Sequence, residues 1–128
     1  MMNFQTATQT AGAIAQDINQ YTVEDILAIK AEALEAGAKA AQEYIEQHGE
    51  PFYCGFAWVN IYDIKGNTKL GKRTKQAGIE KDYSGAYSIW NPSQHGTQSM
   101  DVKEAGAQAA CDVFRKYGFK AYMGSRAD

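Results

Sequence analysis

The chain has 128 residues, a formal net charge of −2 and two cysteines, which is enough for one domain with its own core and too short for two. With this charge balance, bulk attraction to nucleic acid or an anionic membrane is not expected, and no apolar run approaches the roughly 20 residues of a membrane-spanning helix. Cys54 and Cys111 have no framework spacing, so they read as free thiols in a reducing compartment, and the polar N-terminus is unlike a signal peptide; the expectation is a cytoplasmic protein.

Residues 1–20 are rich in Ala, Thr and Gln and are expected to form an arm, with a single α+β domain over residues 21–128. Thr22 and Asp25 match a capping box, and Gly49 with Pro51 stops a helix after His48. Val23, Leu27, Leu34, Ala38, Ala41 and Ile45 make one stripe; Ile26, Ile29, Ala33, Gly37, Ala40 and Tyr44 widen it. Its many small residues suit close packing over the domain or against a second copy.

Phe52–Asp63 reads as the principal strand. Phe52, Cys54, Phe56, Trp58 and Tyr62 share one face and Tyr53, Ala57, Val59 and Ile61 the other, so both faces are expected to be covered, by helices or another subunit. Lys65-Gly66-Asn67 is a turn, after which Asn67 or Thr68 caps a short basic helix through Gln76. Between Lys65 and Lys75 stand Lys65, Lys69, Lys72, Arg73 and Lys75 with no acid, whereas Thr22 to Glu50 carries Glu24, Asp25, Glu32, Glu35, Glu43, Glu46 and Glu50 against Lys30 and Lys39. A charge run of this kind is a solvated face, a phosphate contact or one half of a subunit contact.

Asp82–Trp90 alternates like a second strand, a helix runs from Val102 to Tyr117, and Phe119–Met123 is a third strand. The order is α-β-α-β-α-β: a long N-terminal helix, a small three-stranded sheet, a short basic helix and a C-terminal helix.

Between the second strand and the last helix lies Trp90-Asn91-Pro92-Ser93, continuing through Gln98 and Ser99 to Asp101 and Glu104, read as a capping box. An indole, amide and hydroxyl groups and the free N–H groups of a helix start suit an anionic, planar-headed molecule such as a nucleotide. The same residue types also tie down ordinary strand-to-helix turns. The candidate ligand residues are Trp90, Asn91, Ser93, Gln98, Ser99 and Lys103, joined by Arg126, whose guanidinium can grip phosphate oxygens in pairs. Tyr87 is a further candidate platform, although it shares a face with Ile89. Cys54 with His95 and Asn91 makes a weak nucleophile set, because apolar neighbours raise a thiol's pKa. His48, Cys54, His95 and Cys111 lack zinc-ligand pairing, and phosphate-loop and dinucleotide fingerprints are missing. No catalytic residue, metal or cofactor is assigned.

Cys54-Gly55-Phe56-Ala57-Trp58-Val59, Gly66-Asn67-Thr68-Lys69-Leu70-Gly71, Trp90-Asn91-Pro92, Gln98-Ser99-Met100, Lys103-Glu104-Ala105-Gly106-Ala107 and the closing Gly124-Ser125-Arg126 with Asp128 together resemble a family of small T4-type bacteriophage proteins, largely without assigned function. The resemblance spans roughly residues 22–128, implies a phage product in an infected bacterial cytoplasm, and carries no catalytic residues. By analogy with other small phage proteins, it points to a sponge for a nucleotide-derived immune signal. The alternatives are an interaction protein that inhibits or redirects a host protein, and an enzyme using Cys54 and His95.

The two-sided apolar strand and the Ala-rich helix offer more apolar surface than three strands and their helices obviously cover, so the chain is expected to be a homo-oligomer, most simply a dimer. Sedimentation at micromolar concentration should show a species heavier than 14.1 kDa; a single monomeric boundary would remove this expectation.

Overall fold

The computed structural model describes residues 17–128; the expected N-terminal arm lies outside them apart from its last four positions. A 3-10 turn, Ile18–Gln20, leads into α1, Val23–His48. There follow β1 (Gly55–Tyr62), α2 (Lys69–Gln76), β2 (Glu80–Lys81), β3 (Tyr87–Trp90), α3 (Met100–Lys116) and β4 (Lys120–Ala127). The sheet is antiparallel throughout, in the order β2-β3-β1-β4. After the long helix, this is the split β-α-β-β-α-β arrangement.

The α+β reading and the alternating order hold. The sheet, however, has four strands, because the second expected strand is really the second half of a hairpin. Asp82 Oδ1 accepts from the Ser84 N–H (2.8 Å) and hydroxyl (2.5 Å), and the Asp82 N–H donates to Ala86 O at 2.8 Å. This turn stops pairing after Lys81 and restarts it at Tyr87. The Ser84 hydroxyl bond also holds the Asp82 carboxyl below its ordinary range.

α1 begins where its capping box places it: Thr22 accepts from the Asp25 N–H at 3.1 Å, and Asp25 accepts from the Thr22 N–H at 2.9 Å. Its buried line is Ile26, Ile29, Ala33, Gly37 and Ala41, while Leu27 is exposed. The buried face is therefore centred on Ile26, Ile29, Ala33 and Gly37 of the widening set, joined by Ala41 of the first stripe, with Val23 and Leu34 packed at its margin. The reason is the crossing with α3, where a Cβ on Gly37 would stand 2.3 Å from Pro92 O and 3.0 Å from Gly106 O, and a Cβ on Gly106 would stand 2.6 Å from Ser93 Cα. The crossing needs two residues without side chains.

Thr68 caps α2 by accepting from the Gly71 N–H at 3.1 Å. At α3 the expected Asp101/Glu104 box is replaced by Ser99 as N-cap, without a side-chain cap bond, and the helix starts at Met100. The Met100 N–H donates instead to Tyr53 O at 2.7 Å. α3 lies on β1 and β4, and α1 packs chiefly on α3. One core joins Ile26 and Ile29 of α1 to Val59 and Ile61 of β1, Ile89 of β3, Phe114 of α3 and Ala121 of β4. Among the described residues, no helix is long and apolar enough to cross a membrane.

Gly37→Ala should destabilise the protein by about 1 to 3 kcal/mol, even though alanine improves helix propensity by roughly 1 kcal/mol. Gly96, with nothing within 4 Å of a built Cβ, is the control. Urea unfolding should show Gly96→Ala near wild type and Gly37→Ala clearly lower; equal midpoints would refute the close-contact account.

Candidate functional site

Strand alternation gives β1 two unlike faces. Ala57, Val59 and Ile61 are buried under the helices; Phe56, Trp58, Asn60 and Tyr62 point the other way. Only the first face is covered, and no described element lies over the second. Register brings its neighbours into line: Trp58 faces Trp90 of β3 and Gly124 of β4, Asn60 faces Ser88 and Tyr122, and Phe56 faces Arg126.

The aromatic groups form a platform. Trp58 and Trp90 have ring centroids 5.4 Å apart with planes 13° from parallel, and Phe56 lies 5.5 Å from Trp90. A Cβ on Gly124 would stand 2.5 Å from Trp58 Cε2 and Nε1, so the indole lies down over the glycine. Trp90 remains 59% exposed. The Arg126 guanidinium stands 5.7 Å from the Phe56 centroid, a distance at which a ring face attracts a cation. At the β4 edge, Arg115 from α3 bonds Ala121 O at 2.7 Å and sits 4.7 Å from the Tyr122 ring.

A cleft of about 320 Å³ opens on this face, lined by Trp58, Asn60, Tyr62, Ser88, Trp90 and Arg126, with Asp82, Tyr83 and Ser84 from the hairpin turn. That volume is at the small end of the roughly 300–1,000 Å³ typical of small-molecule sites. Tyr83 at the turn, on the rim of the cleft, is fully exposed.

The structure thus brings together two of the sequence-derived candidates, Trp90 and Arg126, and separates them from the rest. Asn91 has φ +46°, a left-handed backbone that asparagine tolerates better than most residues. Its amide is engaged inside the loop: Oδ1 accepts from the Ser93 hydroxyl at 2.6 Å, and Nδ2 donates to His95 O at 3.3 Å. Ser93 is buried and its Oγ also accepts from the His95 N–H. Ser99 is buried, its N–H donating to Thr97 Oγ1. Gln98 is exposed on the loop. Lys103 is buried, its Nζ donating to Gly55 O at 2.9 Å and standing 4.9 Å from the Phe56 ring. It fastens the first turn of α3 to the start of β1. Most of this loop's polar groups therefore hold the turn together.

Tyr87 is buried and its hydroxyl donates to Gly71 O at 3.2 Å, which assigns it to the core. The Cys54 thiol donates to Phe52 O at 3.5 Å, while His95 Nδ1 accepts from the Thr97 N–H. Each is engaged locally rather than with the other. Burial pushes the Cys111 thiol up to about 12. Among the described residues, no group of three His, Cys, Asp or Glu side chains is placed to hold a metal.

Sequence reasoning missed Ser88 and the turn residues Asp82, Tyr83 and Ser84 of the cleft, and it missed Phe56, Trp58, Asn60, Tyr62, Tyr122 and Gly124. Their signal was present as two period-2 rows, Phe56-x-Trp58-x-Asn60-x-Tyr62 and Tyr122-x-Gly124-x-Arg126, whose adjacency depends on pairing between distant segments. No known protein family, curated protein or solved structure matches the chain.

Gly124→Val should lift the Trp58 indole from the sheet and break its parallel contact with Trp90. Near-ultraviolet circular dichroism, read against an unchanged far-ultraviolet spectrum, should lose the coupled tryptophan signal. A wild-type near-ultraviolet spectrum would show that Gly124 does not set the ring's posture.

Proposed function

We propose that the chain binds a nucleobase-bearing anionic ligand on the open face of its sheet, without transforming it. The observation that carries this reading is the near-parallel Trp58/Trp90 pair with Arg126 lining the same cleft. A base stacked on such a surface gains roughly 1 to 3 kcal/mol. A phosphate within reach of the guanidinium adds a charge-assisted interaction of roughly 1.5 to 3 kcal/mol. Asn60 and Ser88, opposite one another across β1 and β3, supply amide and hydroxyl groups beside the rings for the edge of a base. The ligand class is the one expected from the Trp90–Lys103 loop; its seat moves from the helix start to the sheet. In the infected bacterial cytoplasm that the family resemblance implies, binding of this kind would sequester a nucleotide-derived signal.

A second reading, contact with a host protein, is favoured by Phe52, which is 99% exposed, and its exposed neighbour Tyr53, since aromatic side chains are common anchors of protein interfaces.

Both tryptophans of the chain lie on the proposed face, so intrinsic tryptophan fluorescence reports it alone. Titration with nucleoside monophosphates and dinucleotides should quench that emission. Arg126→Ala should weaken binding by about one to two orders of magnitude, with Arg126→Lys recovering only part of it. Stability should hardly change, because Arg126 is exposed near the C-terminal end. Equal affinity of wild type and Arg126→Ala would remove the arginine from the site; no quenching by any nucleotide would favour the protein-contact reading.

A further inference from the structure

The sheet face is not an isolated cleft. Trp90, Ser88 and Asp82 also line a second cleft at the short β2 edge, together with Glu80 and Lys81. Glu80 and Lys81 in turn line a third cleft, with Lys72 and Lys75 of α2, on the helix side of that edge. The shared residues place the three clefts next to one another, from Arg126 and Trp58, past Trp90 and β2, to the basic helix. β2 allows this because it is only two residues long.

The electrostatics change along that path. Lys72, Lys75 and Lys81 are exposed. The ion pairs among the described residues are Arg115–Asp112, Lys116–Glu32 and Lys120–Asp63, which leaves these three lysines outside any ion pair, Lys81 standing 5.8 Å from the Tyr87 ring. The acids on the path are Glu80 and Asp82, and the Asp82 carboxylate already accepts from Ser84. Arg73 is directed elsewhere, to Asn19 O and Tyr21 O. Net charge is −2, but the acids that produce it are concentrated on α1. The lysines are therefore a local field adjoining an aromatic floor.

Resting on the reading of the sheet face given above, we infer that the ligand is single-stranded nucleic acid of several nucleotides. Its bases stack on Trp58 and Trp90, and its continuing phosphates pass around β2 to Lys72, Lys75 and Lys81. Stacking aromatics beside a basic groove are the means by which proteins hold single strands with little sequence preference. A mononucleotide would fill the first cleft and leave the lysines unused. A duplex has its bases stacked on each other and cannot lay them on the indoles.

The test is quenching of tryptophan emission by thymidine monophosphate, by oligothymidylates of roughly 4 and 12 nucleotides, and by a duplex, each at several salt concentrations. Affinity should rise with strand length and fall with salt, and the duplex should bind more weakly than the single strand. The Lys72→Gln/Lys75→Gln/Lys81→Gln protein should lose about one to two orders of magnitude for the longer strand, and its salt slope should fall by roughly 0.7 for each phosphate contact removed. The ratio of oligonucleotide to mononucleotide affinity should fall with it. Monophosphate binding that depends on Arg126 but does not strengthen with strand length would overturn the strand inference and leave the proposed function standing. The strand inference falls equally if the triple variant matches wild type on the longer strand, or if the duplex binds as well. Should the triple variant fold poorly, wild-type length and salt dependence decide alone. No quenching by monophosphate or strand would overturn both.

Discussion

The close crossing of α1 and α3 at Gly37 and Gly106 is the constraint on which the rest depends. Each helix puts a bare Cα at the contact, and the Pro92–Ser93 backbone enters the same space. Protein interiors are packed densely enough that one added methyl group there must displace backbone. Three segments far apart in sequence are thereby fixed together. Because Pro92 and Ser93 follow β3 after the single residue Asn91, the crossing also fixes how the chain leaves Trp90. The loop's internal hydrogen bonds, from Asn91, Ser93, His95 and Thr97, complete that anchoring.

From this packing follows the asymmetry of the sheet. α3 covers β1 and β4, and α1 stacks on α3, so the described helical mass is gathered on the Ala57/Val59/Ile61 face. The other face carries Phe56, Trp58, Tyr62, Trp90 and Tyr122. Burial of a large aromatic ring is among the stronger local contributions to folding, so rings on an open face support the binding proposed for this surface. The side chains are already organised: Trp58 rests over Gly124, and Arg126 stands near Phe56. Preorganisation of this sort lowers the ordering cost of binding.

Charge is laid out with comparable economy. Glu32 of α1 accepts from Lys116 and from the Tyr117 hydroxyl, the latter at 2.6 Å, linking α1 to the end of α3. Arg73 spans from α2 to the carbonyls of Asn19 and Tyr21, and the Tyr21 hydroxyl donates to Tyr117 O at 2.6 Å. These bonds use the polar groups nearest the helix junctions. Lys72 and Lys75 of α2, which line the cleft at the β2 edge, take no part in these bonds.

Local signals were readable along the chain wherever a short segment decides its own geometry. The Thr22/Asp25 cap, the stop at Gly49, the Thr68 cap and the alternation of β1 depend on residues a few positions apart, so α1, β1, α2 and the α+β class followed from the sequence alone. Trp90 and Arg126 were recognisable as unusual side chains in turn-rich surroundings. What only the tertiary structure decided is their partnership. Trp58, Trp90, Gly124 and Arg126 become neighbours through antiparallel register between segments that are remote in sequence. The fate of Lys103 was equally hidden, since only the folded chain places Gly55 O beside its ammonium group. Local propensity acts over a few residues, whereas register and burial are properties of surfaces that do not exist until the chain has closed on itself.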